Sequence, residues 1–412
     1  MSTFPTDIPI CDPHFHVWDN VSNPKNLNLG PIADGPLGVY LSSTYLAACS
    51  ALPLYAAVHV ETVVGQKEGG FVIDTLEETR FVLRDSAAFG PTRACGVVGF
   101  VHLGREDAVE VLAGHLRAAG ERFVGVRMIL NFSSEDPSLT WPQVDSDSYL
   151  SGANAHFGGN VKLLGRLGLV FDFHANWFQL KTAAAFFSGL SPQLPKIVID
   201  HLGCPKLNSG KSEEDAARVA AWKEGLAALA AIPKVNIKIS GLEYIHAGWM
   251  EKGSKARELI KGLVFWVLDT FGPSRCMVAS NFPVDLAMGG KVCVRVFLYL
   301  LFSPLVGLLL HLSDGSTSHF LLLFTPSPFF LCVPSLTCAG HWGFVLELVR
   351  PLGRLPPRGC GPHGLAQAGF LHHCHGRVWP CEDANRPCGK GRERGRSFYR
   401  AVAAKAQRNI AW

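Results

Sequence analysis

Two histidines two residues apart, His14 and His16 in the segment DPHFHVWD (Asp12–Asp19), are the first candidates for chemistry. On a β-strand, residues i and i+2 point to the same face, so this spacing presents both imidazoles to one surface. Two neutral imidazoles held that way share a divalent metal or jointly polarise a carbonyl. A polar loop with two incidental histidines is the bland alternative. The position of the pair at the end of an apolar run, between Asp12 and Trp18, weighs against it.

Further candidates close apolar runs of their own. FDFH ends on His174, and IDHLG carries His201 with Gly203 two residues on. His174 is equally readable as a hydrogen-bonded core residue. Hydrolysis also needs a base that takes a proton from the attacking water. The segment ASNFPVD (Ala279–Asp285) has Asn281, which cannot act as a base, and Asp285 four residues later. Asp285 is therefore the candidate base. Arg127 in GVR and Glu61 in HVET end two other runs. Arg127 suits a bidentate grip on a substrate carboxylate, and it equally suits an Arg–Glu pair inside the mouth of the site. His372, His373, Cys374 and His375 with Cys381 and Cys388 have the composition of a metal cluster, but their spacing matches no zinc pattern. No nucleophile elbow or phosphate loop is present.

These residues need elements to hold them. Up to about Asp285, short runs rich in β-branched residues alternate with longer amphipathic stretches. Strands are predicted at Ile8–His14, Leu54–Glu61, Cys95–Val101, Val124–Ile129, Leu169–Phe173, Lys196–Asp200, Val235–Ser240 and Cys276–Ser280. Helices are predicted at Gly70–Phe89, Arg105–Ala119, Val161–Leu167, Gln179–Gly189, Glu213–Ala231 and Lys255–Phe271. Strands alternating with helices argue for a parallel sheet, and eight such units in this length fit a (β/α)8 TIM barrel. A doubly wound open sheet is disfavoured because no glycine-rich turn follows the first strand. In a barrel, catalytic groups come from the C-terminal ends of several strands.

The chain has 412 residues, 48% hydrophobic and 17% charged, which describes a large globular core rather than a disordered chain. A net charge of +4 without a basic stripe excludes a nucleic-acid partner and leaves a small-molecule substrate as the expected one. The N-terminal residues MSTFPTDIPI lack the charged and apolar regions of a secretory leader. Cys11, Cys49, Cys95, Cys204 and Cys276 are scattered in apolar company and read as reduced thiols, so a cytoplasmic location is expected. The other seven of the twelve cysteines follow Gly290.

The character of the chain changes there. From Leu286 to Pro380 the only acids are Asp314 and Glu347. Val296–Leu312 is apolar, but it is short for a span of about 20 residues and contains Ser303, Pro304 and Gly307, which argues against a membrane segment. Lys291–Val296 (KVCVRV) is what a GT-repeat at a splice donor would encode, and Phe320–Leu336 is what a pyrimidine tract would encode. The segment 291–340 is thus read as a hydrophobic insertion of retained-intron type. A transcript that carries it, with a matching protein mass, would sink that reading. His341–Gly353 and Ser397–Asn409 read as helices around an irregular stretch at Leu355–Arg396. The expected organisation is a barrel at 8–290, the insertion at 291–340 and an atypical C-terminal region at 341–412.

The ordered segments DPHFHVWD, VHVET, GVVGFV, GVRMIL, FDFHANWFQL, VIDHLGCP, NIKISGL and ASNFPVD resemble the amidohydrolase-related family of TIM-barrel, metal-dependent hydrolases. The resembling branch holds lactonases of the 2-pyrone-4,6-dicarboxylate lactonase, sulfomuconolactone hydrolase and rhamnonolactonase kind. The resemblance covers about residues 8–290 and resumes weakly in WGFVLELVRPLG and SFYRAVAAKAQRN. It implies that His14, His16 and His201 polarise a scissile carbonyl or support a metal; Asp285 is the candidate base from its position alone. Arg127 matches a substrate-anchoring position in some members; Glu61, Asn281 and Trp177 are candidate substrate contacts beside it. Asn281 occupies the place where many members carry a catalytic Asp. Some members work without metal and others bind zinc; if zinc is bound, the expected ligands are His14, His16 and His174. The implied activity is opening of a lactone or similar cyclic ester. The alternatives are a zinc-dependent decarboxylase on the same fold and an inactive barrel broken by the insertion.

Overall fold

The computed structural model describes residues 9–285, except 20, 23–37, 51, 63–65, 69–70, 208–210, 250 and 252, together with two short strands at 334–336 and 342–344. Eight parallel strands follow one another in sequence order around a single sheet. They are β1 (Ile10–Phe15), β2 (Leu54–Val60), β3 (Ala94–Phe100), β4 (Phe123–Ile129), β5 (Val170–His174), β6 (Lys196–Ile199), β7 (Val235–Ile239) and β8 (Cys276–Val278). The helices between them are α1 (Ser42–Ala48), α2 (Leu76–Asp85), α3 (Ala108–Ala119), α4 (Phe157–Leu167), α5 (Leu180–Ser188), α6 (Ser212–Ala230) and α7 (Lys255–Phe271). This is the predicted (β/α)8 arrangement.

Alternation along each strand explains both layers. Phe171 and Phe173, Ile197 and Ile199, and Ile237 and Ile239 belong to one apolar core with the helices, among them Trp222, Leu226 and Val267. A separate small cluster of Val58, Val60 and Val98 packs within β2 and β3. The intervening positions on β1, β4, β5 and β7 are the buried polar residues Asp12, His14, Arg127, Asp172 and Lys238. Side chains on a strand alternate faces, so the apolar face meets the helices and the polar face meets the barrel interior.

The seam between β1 and β8 closes beyond the end of β8. Asn281 N–H donates to His14 O at 2.9 Å, and His16 N–H donates to Phe282 O at 2.7 Å. Asp12 locks the same seam, because its carboxylate accepts from Ser280 N at 3.0 Å, from Ser280 Oγ, and from Tyr45 Oη at 2.8 Å.

Two elements differ from expectation. The helix predicted from Gly70 begins only at Leu76, because Phe71–Asp74 is a strand paired antiparallel with Gln66–Glu68. The run Phe71-Val72-Ile73 carries β-branched and aromatic residues that suit an extended backbone. Within the stretch read as helix at His341–Gly353, Trp342–Phe344 is a strand paired with Pro334–Leu336. The apolar run Val296–Leu312, the remaining parts of 291–340 and 345–412, and the His/Cys group near His372 lie outside the described residues. Among the described residues, no helix is long and apolar enough to cross a membrane.

Candidate active site

The ends of β1, β4, β5, β6 and β7 deliver one polar cluster. His14 and His16 meet edge to face, with ring centroids 4.8 Å apart and their Nε2 atoms at 3.1 Å. His201 brings its ring to 4.7 Å from His14, and His174 brings its ring to 5.4 Å from His201. Sequence spacing predicted the first pair, and the fold adds His201 to it. His174 approaches through His201 rather than through His14 or His16.

The turn that carries His201 is built for this placement. His201, Leu202 and Cys204 have φ of 51°, 56° and 47°, a left-handed region that non-glycine residues rarely occupy. Trp222 of α6 holds the turn by donating Nε1–H to Leu202 O at 2.7 Å. Opposite it, Gly241 has φ +62°, and a Cβ there would lie 2.7 Å from the His201 ring. Asn281 shares the left-handed conformation at φ 48°. Strained backbone of this kind persists where packing over-determines it, and it concentrates at functional sites.

The hydrogen bonds assign the protons. His16 Nδ1 lies 2.7 Å from Val60 O, which can only accept, so Nδ1 carries the hydrogen and Nε2 is bare. Asn281 Oδ1 faces that bare nitrogen at 3.2 Å, because Asn281 Nδ2 donates to Asp285 Oδ1 at 2.8 Å. His201 Nδ1 pairs with Ser240 Oγ at 3.0 Å. Burial holds all four imidazoles below their ordinary range: His14 and His16 well below it, His174 at about 4 and His201 at about 3. All are neutral at physiological pH.

Asp285 is buried, and its Oδ2 accepts no hydrogen bond among the described residues. Burial pushes its carboxyl up to about 7, with the charge of Glu243 adding to the rise. A carboxylate that titrates near neutrality suits a general base. Arg127 resolves toward one of its two readings. Its Nε donates to Glu61 Oε1 at 2.6 Å and its Nη2 to Glu61 O, so the two form an internal ion pair beside the cluster. Trp177 lies in the turn after β5 under the guanidinium of Arg218, 4.9 Å from the ring centroid.

Three functional-site residues were not singled out from sequence. Lys238 of β7 donates to Asp172 Oδ2 at 2.5 Å and sits 3.1 Å from Asp200 Oδ1 and 3.2 Å from His14 Nδ1. Burial works against charge on Asp200, but Lys238 and His14 outweigh it and hold its carboxyl well below the ordinary range. Burial, with Asp200 adding to it, pushes Asp172 up to about 6. The available signal was Lys238 inside VNIKIS and Asp172 inside VFDF, charges at inward positions of otherwise apolar strands.

Two groups of atoms bear on metal binding. His14, Asp200 and His201 bring ligand atoms within 4.8 Å of one another. That group already has a cation, the Lys238 ammonium. The second group is His14 Nε2, His16 Nε2 and Asn281 Oδ1. Two nitrogens on one zinc at about 2.0–2.1 Å stand roughly 3.3 Å apart, close to the 3.1 Å here. The facing acceptors of His16 and Asn281, with no hydrogen between them, are what a cation would satisfy. These residues fit a divalent metal.

Comparison with known proteins places this arrangement. Residues 11–289 match the amidohydrolase family. The chain belongs to that family and is a hydrolase of its TIM-barrel type. It is similar to L-fucono-1,5-lactonase of Burkholderia ambifaria, at 31% identity over 239 residues that cover 58% of this chain and 70% of the relative. The same enzyme of Burkholderia multivorans is 28% identical over 249 residues, 60% of this chain and 73% of the relative. Among solved structures, an amidohydrolase from Burkholderia multivorans with bound zinc shares the fold. Its TM-score is 0.53 at 23% identity, covering 76% of this chain and 94% of that one.

Proposed function

We propose that this chain hydrolyses a lactone or similar cyclic ester. The observation that carries the reading is the convergence of three neutral, buried imidazoles, His14, His16 and His201, beside a carboxylate that titrates near pH 7. A neutral imidazole polarises a carbonyl by donating N–H without bringing a full charge into the site; His14 and His201 can serve as such donors, while His16, whose one N–H goes to Val60 O, lines the site with its bare Nε2. The lactonases among its relatives support the substrate class.

In this mechanism the substrate carbonyl oxygen points into the histidine cluster. Asp285 Oδ2 takes a proton from water as the water oxygen bonds to the carbonyl carbon. The negative charge then develops on the carbonyl oxygen, where N–H donated by His14 and His201 stabilises it. Collapse of that intermediate breaks the ring C–O bond, and Asp285 returns its proton to the departing alkoxide. The product is a hydroxy acid. If a zinc ion is bound, His14, His16 and Asn281 hold it, and it supplies Lewis-acid polarisation of the same carbonyl. Arg127 stays paired with Glu61 and shapes one wall of the site; Trp177 remains a candidate substrate contact in the turn after β5. The buried cysteines Cys11, Cys49, Cys95, Cys204 and Cys276, none of them in a disulfide among the described residues, support a cytoplasmic location.

The test is a panel of sugar and dicarboxylate lactones, assayed by acid release with and without added zinc, beside metal analysis of the purified chain. Hydroxy acid formation is expected. Release of CO2 from an aromatic acid, with no lactone opened under either condition, would replace this reading with the decarboxylase one.

A further inference from the structure

Lys238 is a buried cation inside the catalytic cluster, and the mechanism above gives it no part. Its ammonium donates to Asp172 Oδ2 at 2.5 Å, lies 3.1 Å from Asp200 Oδ1 as an ion pair, and reaches His14 Nδ1 at 3.2 Å. An ammonium only donates, so its contact with His14 requires a bare Nδ1. The proton of neutral His14 is then on Nε2. From there it points to His16 Nε2, 3.1 Å away, which is bare because His16 Nδ1–H is committed to Val60 O. Every nitrogen of the pair is accounted for by this one assignment.

Two neighbours pull the other way. Asp200 Oδ1 lies 3.3 Å from His14 Nδ1 and would accept a hydrogen there, but it makes no hydrogen bond of acceptable geometry in the structure. Arg127 Nη1 lies 3.5 Å from His14 Nε2, at the outer limit of a hydrogen bond. Lys238 is closer than either. Asp200 favours a bare Nε2 that can take a cation, as a carboxylate behind a metal-bound histidine does. Lys238 favours a protonated Nε2 that can donate to a carbonyl.

We propose that Lys238 is a positioning residue that holds His14 in its Nε2–H form, whose hydrogen His16 Nε2 accepts in the resting site and a substrate carbonyl oxygen shares once bound, and that it thereby weakens cation binding at His14 and His16. It rests on the carbonyl-polarising reading only for the destination of that hydrogen. Its test uses no turnover, so the two fail separately.

The first measurement is long-range 1H–15N NMR of the full, metal-free chain with 15N-labelled histidine, with His14 assigned by the signals lost in His14→Gln. The expected spectrum has a bare Nδ1 and a protonated Nε2 on His14; the opposite tautomer would overturn the proposal. The second is zinc affinity, read by competition with a chromophoric chelator, in Lys238→Met combined with Asp172→Asn. That pair of changes removes one positive and one negative charge, so the net charge of the site is kept. Affinity is expected to rise about tenfold or more, the size of effects transmitted through a ligand's hydrogen-bond partner. Unchanged or weaker binding by the folded double variant would refute the proposal. Should that variant fail to fold, the spectrum of the native chain decides alone.

Discussion

Replacing Asp285 with Asn separates its catalytic role from its structural cost. The amide oxygen of Asn still accepts from Asn281 Nδ2, now at 2.8 Å from the carboxylate, so the local hydrogen bond survives. The proton acceptor is lost, and a general base is worth about 10²- to 10⁴-fold in rate. The pH profile adds a second signature. With its carboxyl pushed up to about 7 by burial, Asp285 is half ionised near neutrality. The active, deprotonated fraction then falls to about one tenth one unit lower and about one hundredth two units lower. Turnover of the native chain should therefore fall tenfold per unit below that point, and the variant should lose this limb. Stability should move the opposite way. A carboxyl raised from 3.8 to about 7 penalises the folded state by up to about 4 kcal/mol once pH exceeds the raised value. The variant should gain part of that at pH 8 and much less at pH 5, where the native group is protonated. The assay is kcat/KM for the best lactone from pH 5 to 9, with urea unfolding at both extremes. A variant retaining a third of native activity, or a native limb inflecting near pH 4, would remove Asp285 from the mechanism.

Acidification should destabilise the whole barrel. Burial holds His174 at about 4 and His201 at about 3, and His14 and His16 well below 6.5, so as pH falls the unfolded chain takes up these protons first. Their contribution is complete above pH 6.5 and is lost toward pH 4. Asp285 and Asp172, raised to about 7 and about 6, act in the opposite sense. Burial raises Asp12 in the same sense and lowers His102 in the other, so five histidines against three carboxylates still leave net proton uptake on unfolding near pH 5; urea midpoints that do not fall between pH 6 and 5 would contradict it. Gly241→Ala places a Cβ 2.7 Å from the His201 ring at φ +62°. It should cost about 1–2 kcal/mol of backbone strain and, by displacing His201, about a hundredfold in kcat; native kcat in a folded variant would argue against His201. Asp12→Ala strands the Ser280 amide and the Tyr45 hydroxyl at the β1–β8 seam and should cost about 2–4 kcal/mol in urea unfolding, with a smaller loss showing that the seam is held elsewhere.

Much of the barrel was legible because each strand buries both faces. The outward residues, such as Ile237 and Ile239 of β7, give the apolar run that marks a strand. The helices showed in their amphipathic period, and α7 falls on the predicted Lys255–Phe271. The site was legible only in part. His14 and His16 share a face by local geometry, so two residues of spacing suffice. Lys238, Asp172 and Asp200 matter through contacts across three strands, and no local period encodes which inward charge meets which. Arg127 shows the same limit. Its type fits a substrate anchor, yet its partner Glu61 stands 66 positions away, and only the closed sheet brings them together.

The polar interior of the barrel divides into groups that are fully paired and groups that are not, and the division follows function. Asp12, Glu61, Arg127 and Lys238 each meet partners of opposite charge or several donors, as buried charges must. These fix the seam and the floor of the site. Among the described residues, Asp285 Oδ2, His174 Nδ1, Asn131 Oδ1 and Trp141 Nε1 are buried without a hydrogen-bond partner. All four stand at or beyond the C-terminal end of a barrel strand, the face that carries catalysis in this fold. Each such atom costs about 1–3 kcal/mol when nothing pairs with it. Asp200 Oδ1, at the end of β6, and His59 Nδ1, within β2, are unmet as well, but most of the unmet atoms gather at this one end. A substrate with ring oxygens and hydroxyls supplies the partners they lack, and the residues that pair worst in the resting site are then those that bind and turn over the ligand.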